Sequence, residues 1–509
     1  MQGTVDTRIP YLTSLSYLQT QSLNQENAKS QKALSTSIEH ISTGLRVIDA
    51  SDDLAGFAIA DRFDVQIQGL SKAMQNTNEA LSAARIAEGS LNEYTDILGY
   101  MQELAEKATN TSVSNSERAS LQDEIANLQD RLKSISEETS FRGRKLLDGT
   151  YRTQNIQVGN TLEQVLSVSL NSARPDQVGL HEVVSGGQMN DAGNFLDTVY
   201  AFIDNGVSSL DSITIQGHSG AEYIEVSDNA SAKDIADLIN AQSDKTGVEA
   251  QAKSYAKIYN LLNAGDVSFI LHGASETSIN ATITSADDLT PLYEELESKI
   301  SATHITPKLS ADGKAISLYG TEGHNIGIED FDHSIFPTTI QFTGLEPDGE
   351  TTAGVAKTLV NGFNDSILVG GYIEIQSDEP FIVFTGTGKS LFTTPSSTQL
   401  PTLQALDTID ISLQENATQA LEIIDHANEY VKRIKSDVQA YESGFEAIVK
   451  RLESASEQME DSKHRVVDAN LAEETLKASS ATIQIQSQNA LVTQANKLIP
   501  EYSLFLLRQ

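Results

Sequence analysis

The 509-residue sequence contains neither cysteine nor tryptophan. Without cysteine, disulfides, thiolate metal sites and cysteine nucleophiles are all excluded. Long apolar runs are also missing: the longest, YSLFLL at 502–507, is far shorter than the roughly 18–20 residues that a bilayer span requires, so no membrane span is expected. The first 25 residues lack a basic segment followed by a continuous apolar one, so no cleavable signal peptide is predicted.

Basic residues are scarce, with 35 lysines and arginines against 71 aspartates and glutamates and a net charge of −36. Such a surface repels nucleic acid and anionic membranes, so neither is expected as a partner. A chain of this length exceeds what one hydrophobic core supports, so several domains are predicted.

Proline and arginine divide the chain into three parts. Proline is absent from residues 11–174 and again from 402–499, and arginine is absent from 175–432. Because proline disrupts a helix interior at a cost of about 3 kcal/mol, two helical arms are predicted to flank a middle of different structure. Ser114 and Glu117 predict a capping box at the start of one helix in the first arm.

The arms carry apolar stripes whose steps alternate between three and four residues, the spacing of a coiled-coil seam. An isolated stripe gains little in water, so the arms are predicted to pack together antiparallel, with both chain ends in the same mainly α-helical core domain. The N-terminal stripe is Leu34, Ile38, Ile41 and Leu45. The C-terminal stripe is Val431, Ile434, Val438, Tyr441, Phe445, Ile448 and Leu452.

The middle of the chain alternates apolar and polar residues as strands do. Residues 181–400 contain 9 lysines, no arginine and 31 acidic residues, so they carry most of the negative charge. Segments near 212–253 and 267–310 share the order strand, strand, helix, strand, which favours a duplication, although any α+β domain can give a similar echo. The predicted fold class is a helical core with inserted α+β, β-rich outer domains.

Motifs for catalysis are missing. His181 and Glu182 begin like the zinc motif HExxH, but Ser185 stands where the second histidine belongs. No nucleophile elbow, phosphate-binding loop or dinucleotide fingerprint occurs. The abundant carboxylates are interpreted as a solvated surface, so no enzyme, cofactor or metal site is predicted.

The segment GLRVIDASDDLAGFAIADRF at 44–63 places four aspartates in twenty residues and superficially resembles a calcium loop. A calcium loop that begins at Asp49 needs glycine at its sixth position and glutamate at its twelfth. Those positions hold Leu54 and Ala60, so the sequence argues against calcium binding.

We interpret this segment as a joint between two helices. Gly44 is predicted to end the first helix, Ser51 or Asp52 to cap the second, and Gly56 to let helices approach closely. The residues predicted for this joint are Gly44, Arg46, Asp52, Asp53, Gly56, Arg62 and Phe63.

STGLRVIDASDDLAGFAIADRF (42–63) resembles the bacterial flagellin pattern S-S-G-L-R-I-N-S-A-x-D-D-A-A-G-x-A-I-A-x-R-F. The resemblance continues in the N-terminal arm through NEALSAARIAEGSLNE (78–93) and ETSFRGRKLL (138–147). In the C-terminal arm it includes VVDANLAEET (466–475) and PEYSLFLLR (500–508). The order, the spacing and the placement at both ends make this resemblance specific.

The resemblance implies a structural subunit that polymerises into the helical filament of the bacterial flagellum, used for swimming and located outside the cell. It implies a filament-core coiled coil, a helical rod and variable outer domains. The corresponding boundaries are 1–47 and 456–509 for the core, with a linker at 44–53, then 48–178 and 403–455 for the rod, and 179–402 for the outer domains.

The resemblance also implies which residues pack in the filament core, between subunits or within one chain. They are Leu34, Ile38, Ile41, Leu45, Leu476, Ile483, Leu491, Ala495 and Leu498. Implied partners are further copies of the chain, the type III export apparatus that passes it unfolded, an export chaperone near 465–509, the distal cap and the hook–filament junction proteins.

One family motif is altered. Flagellins that are sensed by the animal Toll-like receptor typically show L-Q-R-V-R-E-L in the rod helix, whereas this chain has LGYMQEL at 98–104. Tyr100 and Gln102 replace two arginines, while Glu103 and Leu104 remain. Loss of the planar, multi-donor guanidinium groups predicts weak recognition by that host receptor.

Three alternatives remain open at this stage. A hook–filament junction protein shares the two-ended helical design, and a hydrolase could be carried within the outer domains. The outer domains could also act in adhesion alongside the filament role. Serine- and threonine-rich stretches such as SLFTTPSSTQLPT (390–402) leave O-linked sugars possible as well.

Overall fold

The computed structural model describes residues 8–161, 163–187, 189 and 205–507, with side chains for those within 17–494 and for 496. The chain divides into two compact units. The first takes residues up to Arg85, Thr153–Ser169 and everything from Ala440, and the second takes Ile86–Arg152 and Leu170–Gln439. Both arms therefore contribute to the first unit, as the helical pattern predicts.

Long helices dominate both arms, where proline is scarce. The helices of the described residues are α1 Arg8–Thr43, α2 Leu54–Thr109, α3 Asn115–Glu138, α4 Ala232–Asn240, α5 Ser243–Thr246, α6 Thr290–Ser298, α7 Ile300–Thr303, α8 Gln414–Val467 and α9 Leu471–Leu507. The predicted capping box at the start of α3 is confirmed: the Glu117 amide donates to Ser114 Oγ at 3.3 Å, and the Ser114 amide donates to Glu117 Oε2 at 2.9 Å.

Strands occupy the middle of the chain and two short hairpins in the N-terminal arm. They are β1 Ser140–Phe141, β2 Arg144–Lys145, β3 Gln154–Gln157, β4 Val165–Val168, β5 Gly179–Val184, β6 Ile213–Gln216, β7 Ala221–Ile224, β8 Glu249–Tyr259, β9 Gly265–His272, β10 Thr277–Ile283, β11 Ile305–Leu309, β12 Ala315–Gly320, β13 Ile326–His333, β14 Thr339–Leu345, β15 Thr352–Val360, β16 Ile367–Val369, β17 Tyr372–Ser377, β18 Ile382–Thr385, β19 Thr398–Gln399 and β20 Thr402–Ala405.

The largest sheet of the second unit is antiparallel and has the strand order β11-β12-β8-β17-β5-β20, with β14 also on β8 and β15 on β14. Two smaller sheets have the orders β10-β9-β13-β16 and β19-β18-β6-β7. The strand β8 takes part in two hydrophobic cores, because Ala250 and Ala252 pack into one and Ala256 and Ile258 into the other.

The two segments with matching sequence order also have matching elements. In the first, the hairpin β6–β7 is followed by α4, the single turn α5 and strand β8. In the second, the hairpin β9–β10 is followed by α6, the single turn α7 and strand β11. Both turns end in a left-handed residue, Gly247 and His304 respectively.

The apolar stripe predicted at residues 431–452 lies on α8, and most of its residues are buried in one or the other unit. Val431, Ile434 and Val438 are buried in the second unit. In the first unit Leu452 packs with Leu70 and Ala73 of α2 in a small cluster that Ile448 borders. Phe445 is also buried, and Tyr441 is half-buried.

Candidate assembly surface

The connection from α1 to α2 is a hydrogen-bonded joint within the first unit. Helix α1 ends at Thr43, and Gly44 takes a left-handed φ of 74° while its amide donates to the His40 carbonyl at 2.9 Å. The next residues bond the segment between α8 and α9: the Arg46 amide donates to the Val467 carbonyl at 2.6 Å. The Arg46 guanidinium donates to the Val466 carbonyl at 2.6 Å, so this arginine ties the chain's two arms together.

Helix α2 is capped by Asp53. Its Oδ1 accepts from the amides of Ala55 at 3.1 Å and Gly56 at 3.0 Å, and the bond from Gly56, followed by the charge of Arg46, lowers the pKa of the Asp53 carboxyl. The prediction that Ser51 or Asp52 caps this helix is therefore wrong.

The neighbouring polar residues shape the turn before that helix. Asp52 accepts from the backbone amides of Ile48 at 3.0 Å and Asp49 at 3.2 Å, and the amide and hydroxyl of Ser51 donate to Asp49 Oδ1.

The role predicted for Gly56 also needs correction. A Cβ at this position would lie 2.6 Å from Asp53 Oδ2, so the glycine makes room for the capping carboxylate rather than for a second helix.

Helices α1 and α9 pack along a seam with an alternating three- and four-residue step, and half of the seam residues are polar. The α9 side includes Glu474, Ala478, Ala481, Ile485, Gln488 and Val492, and the α1 side Thr20, Leu23, Asn27, Ser30, Leu34 and Ser37, all buried or half-buried. Asn27 Nδ2 donates to Asn489 Oδ1 at 2.7 Å, and Ser30 Oγ donates to Gln484 Oε1 at 3.3 Å. Polar side chains therefore take part of the buried surface that an ordinary coiled-coil seam gives to apolar residues.

Most of the apolar residues predicted for the core coiled coil lie off this seam. Ile38 and Ile41 on α1 are exposed, and so are Leu476, Ile483 and Leu491 on α9, with Leu476 70% exposed. Within one chain the expectation that these residues face each other is wrong, because Ser37 and Glu474 occupy the shared face instead. Only Leu34 and Leu45 are half-buried, and the side chains of Ala495 and Leu498 lie outside the described ones.

Glu474 is the charged centre of the seam. It is buried, its Oε1 lies 2.8 Å from Lys477 Nζ, and its Oε2 lies 3.5 Å from His40 Nδ1. The bond from Lys477 lowers the pKa of the Glu474 carboxyl, and Ser37 and His40 lower it further. The seam is therefore built to hold this carboxylate ionised.

The remaining predicted positions lie on α2. Arg62 is exposed, and Phe63 is half-buried. In the altered receptor motif Tyr100 is 59% exposed, Gln102 and Leu104 are half-buried and Glu103 is exposed. The motif positions are thus available at the surface of this chain.

Sequence reasoning missed a buried polar contact between α8 and the largest sheet in the second unit. Lys253 Nζ lies 2.7 Å from Glu374 Oε2, and Gln376 Nε2 donates to Glu182 Oε1 at 3.2 Å. Burial raises the pKa of the Glu182 carboxyl and also that of Glu422 on α8. No local motif marks these residues, which come from four separate segments.

A second part of the same contact, at Arg433, lies about three helical turns beyond Glu422 on α8. Arg433 Nη2 approaches Asp378 Oδ2 at 2.6 Å and Glu379 Oε1 at 3.0 Å. Burial lowers the pKa of His426 on α8 and of His181 on β5.

Among the residues that the structure describes, no cluster of three histidines, aspartates or glutamates has the arrangement to hold a metal ion. Within the same residues, no helix is both long and apolar enough to span a bilayer.

Known protein families match both arms and part of the middle. Models of the bacterial flagellin N-terminal helical region, the flagellin hook IN motif and the bacterial flagellin C-terminal helical region match residues 15–152, 212–257 and 421–501 respectively, together more than half of the chain. The chain belongs to the bacterial flagellin family, which is a family of structural proteins rather than enzymes.

Individual relatives match over nearly the whole length. B-type flagellin of Pseudomonas aeruginosa is 29% identical over 499 residues, which cover 97% of this chain and 99% of that protein. Flagellin E of Vibrio cholerae is 26% identical over 508 residues, covering 100% of both. Among solved structures, flagellar hook associated protein-3 from Legionella pneumophila is 12% identical, and the match covers 80% of this chain and 98% of that one with a TM-score of 0.34.

Proposed function

We propose that this chain is the structural subunit of a bacterial flagellar filament, a helical homopolymer outside the cell that drives swimming. The observation that carries the proposal is the pattern on α1 and α9: a half-polar seam within the chain, with large apolar side chains left exposed outside it. Family membership indicates that the assembly is a flagellar filament. The exposed apolar side chains give a physical driving force for the chains to associate.

Burying an isoleucine or leucine side chain contributes roughly 1.5–3 kcal/mol. Packing neighbouring chains side by side would bury the exposed set Ile38, Ile41, Leu476, Ile483 and Leu491. A lone chain cannot gain this energy, because its own seam is occupied by residues such as Ser30, Ser37 and Glu474. Order in the terminal helices is therefore coupled to polymerisation, as for segments that fold on binding.

We propose the same route to the filament as the family resemblance implies. The chain passes unfolded through the type III export apparatus, is held by a chaperone near residues 465–509 and is added beneath a distal cap, next to the hook–filament junction proteins at the base. Two features support this route. The absence of cysteine leaves no disulfide to hinder passage, and the exposed Leu476, Ile483 and Leu491 give a chaperone an apolar surface to bind on the C-terminal helix.

The test is polymerisation of purified full-length chain onto filament seeds, observed by electron microscopy. We expect long filaments from the full chain and none from a truncation that lacks residues 466–509. The sharper variant is Leu476→Ser with Ile483→Ser, which leaves the seam intact but removes exposed apolar surface and should strongly reduce elongation. Leu210→Ser, an exposed leucine outside the helical arms, serves as the matched control and should elongate normally.

Two outcomes would contradict the proposal. Normal elongation of the Leu476→Ser/Ile483→Ser variant would show that these side chains are not buried between chains. A full chain that adds to seeds once but never elongates would favour a hook–filament junction protein instead.

A further inference from the structure

Three connections of the second unit meet at an exposed aromatic surface. They are residues 260–264 between β8 and β9, 334–338 between β13 and β14, and 361–366 between β15 and β16. The rings of Phe336 and Phe363 lie 5.8 Å apart and are 63% and 60% exposed. Ile335 and Leu262 are exposed on the same connections, and we call these four residues the aromatic patch.

The aromatic patch stands on a buried, hydrogen-bonded base. Asn361 is 2% exposed, and its side chain accepts from the Thr338 amide at 2.7 Å and donates to the carbonyls of His333 at 3.2 Å and Ile335 at 3.3 Å. Thr338 Oγ1 donates to the Ile335 carbonyl at 2.7 Å and accepts from Asn263 Nδ2 at 3.1 Å. One buried amide and one buried hydroxyl thus link all three connections.

His333 fixes the segment that presents the aromatic ring. Its side chain is buried, and Nδ1 accepts from the Ile335 amide at 2.9 Å. Phe336 lies over Gly362, where an added Cβ would be 3.5 Å from its Cε2. The exposed rings are therefore held in place before any partner arrives, which reduces the entropy lost on binding.

Carboxylates lie beside the aromatic patch. Asp365 follows Phe363 by two residues, and its carbonyl accepts from the Phe331 amide at 2.9 Å, which brings the end of β13 against it. The Asp330 amide also donates to Ser366 Oγ at 3.2 Å, so the part of β13 that carries Asp330 and Asp332 lies next to Asp365. Burial raises the pKa of the Asp365 carboxyl, and the negative charges of Asp330 and Asp332 raise it further. Both Asp330 and Asp332 are exposed.

We propose that the aromatic patch and the carboxylates Asp330, Asp332 and Asp365 form a docking surface for a cationic polypeptide that presents an aromatic or aliphatic side chain beside lysine or arginine. Fixed, exposed aromatic rings are typical anchors of protein interfaces, and neighbouring acidic groups select partners of opposite charge. This role is separate from filament assembly, which uses the helical arms.

The negative charge of the chain argues against a second copy of the chain as the partner that binds the aromatic patch. Each copy carries a net charge of −36, and residues 181–400 hold 31 acidic residues against 9 lysines. Two such surfaces repel each other, whereas a basic segment is attracted more strongly as the salt concentration falls.

The experiment measures binding of the acetylated, amidated hexapeptide KFKLKF to the full-length monomer by isothermal titration calorimetry. The comparison peptides EFELEF and KGKSKG remove the positive charge and the apolar side chains in turn, and both should bind about tenfold more weakly or worse. The variant Phe336→Ser with Phe363→Ser should lose about tenfold or more in affinity for KFKLKF. The variant Asp330→Asn, Asp332→Asn and Asp365→Asn should bind more weakly and with a flatter salt dependence.

Two controls match these variants in chemistry but lie elsewhere. Tyr223→Ser removes an aromatic ring that is 63% exposed on β7, and the triple change Glu453→Gln, Glu457→Gln and Glu460→Gln removes three exposed charges from α8. Both should bind KFKLKF like the unaltered chain. Thermal unfolding of every variant identifies any loss that results from misfolding.

The proposal is overturned if the unaltered chain does not bind KFKLKF at millimolar peptide, or if EFELEF binds as tightly. It is also overturned if a folded Phe336→Ser/Phe363→Ser variant keeps its affinity. Self-association of the monomer that this variant abolishes would assign the aromatic patch to a second copy of the chain.

Discussion

The amide of Gly56 donates to Asp53 Oδ1 at 3.0 Å, and the same glycine leaves the space in which the Asp53 carboxylate lies. A Cβ at position 56 would be 2.6 Å from Asp53 Oδ2 and 3.5 Å from Val47 Cγ2. Because Arg46 lies 3.6 Å from Asp53 and also bonds the Val466 carbonyl, the cap of α2 is linked to the second arm of the chain.

Gly56→Ala should therefore destabilise the first unit, although alanine is the better helix former. The added Cβ displaces the capping carboxylate and weakens its ion pair with Arg46. Gly444→Ala is the matched control in the same unit, since nothing lies within 4 Å of its Cβ position on α8. That change should stabilise the helix by about 0.5–1 kcal/mol. Urea unfolding followed by circular dichroism measures both, and equal stabilisation by the two changes would contradict the role of Gly56.

The contact between α8 and the largest sheet should respond to pH through Glu422. Burial, together with the charges of Glu374 and Glu182, raises the pKa of the Glu422 carboxyl, while Lys253 lowers it. A carboxyl whose pKa is raised on folding favours the folded state below its unfolded pKa, and this contribution is lost as pH rises through the folded value.

Glu422→Gln should therefore flatten the dependence of stability on pH above the ordinary glutamate pKa of about 4.3. At pH 7 it should leave the protein slightly more stable, by no more than about 1 kcal/mol after solvent screening. Differential scanning calorimetry across this range measures the effect, with the exposed Glu457→Gln as the control. A steeper curve for Glu422→Gln than for the unaltered chain would refute the assignment.

The α1–α9 seam should weaken in acid because of Glu474. Its pKa is lowered in the folded chain, first by Lys477, so its contribution is present above the ordinary glutamate pKa and is lost as pH falls through the lowered value. Glu474→Gln should lower the melting temperature of filaments at pH 7 and remove much of the further loss in acid. Glu26→Gln breaks only the exposed pair with Lys29 and should change neither property measurably. Filaments of Glu474→Gln that melt like unaltered ones at pH 7 would show that the ionised seam is unimportant.

Host receptor recognition should be weak and should improve when the two missing arginines are introduced. Tyr100→Arg with Gln102→Arg restores the charges of the family motif beside Glu103. Monomers of this variant should activate Toll-like receptor reporter cells at a lower concentration than the unaltered monomer. Gln66→Arg with Gln68→Arg adds the same charge at exposed positions elsewhere on α2 and should not. Strong activation by the unaltered monomer at low concentration would contradict this prediction.

Periodicity in the sequence predicted the long helices and the inward-facing stripe on α8, because apolar spacing reports directly on which face is buried. Periodicity was misleading for α1, because it predicted that Ile38 and Ile41 lie in the seam. In the structure these two residues are exposed, and Ser37 and His40 are buried. A hydrophobic pattern shows that a face needs a partner, but it does not show whether that partner is in the same chain.

Local sequence motifs predicted one helix cap correctly and another wrongly. Ser114 and Glu117 have the spacing of one well-defined motif, and the structure contains it. Around the joint, Ser51, Asp52 and Asp53 are all good capping residues at consecutive positions, so only the backbone geometry selects among them. The buried contact of α8 with the largest sheet was not predictable, because its charges approach each other only after the strands have paired.

Strand β8 belongs to both hydrophobic cores of the second unit, with Ala250 and Ala252 in one and Ala256 and Ile258 in the other. Its two halves also pair with different neighbours, since β17 bonds residues 249–253 and β12 bonds residues 254–259. A tensile load on either core is thus carried along covalent backbone into the other. A pulling force on the inserted region would then act on both cores together. Separating the two cores would require breaking the hydrogen bonds between β8 and its neighbouring strands.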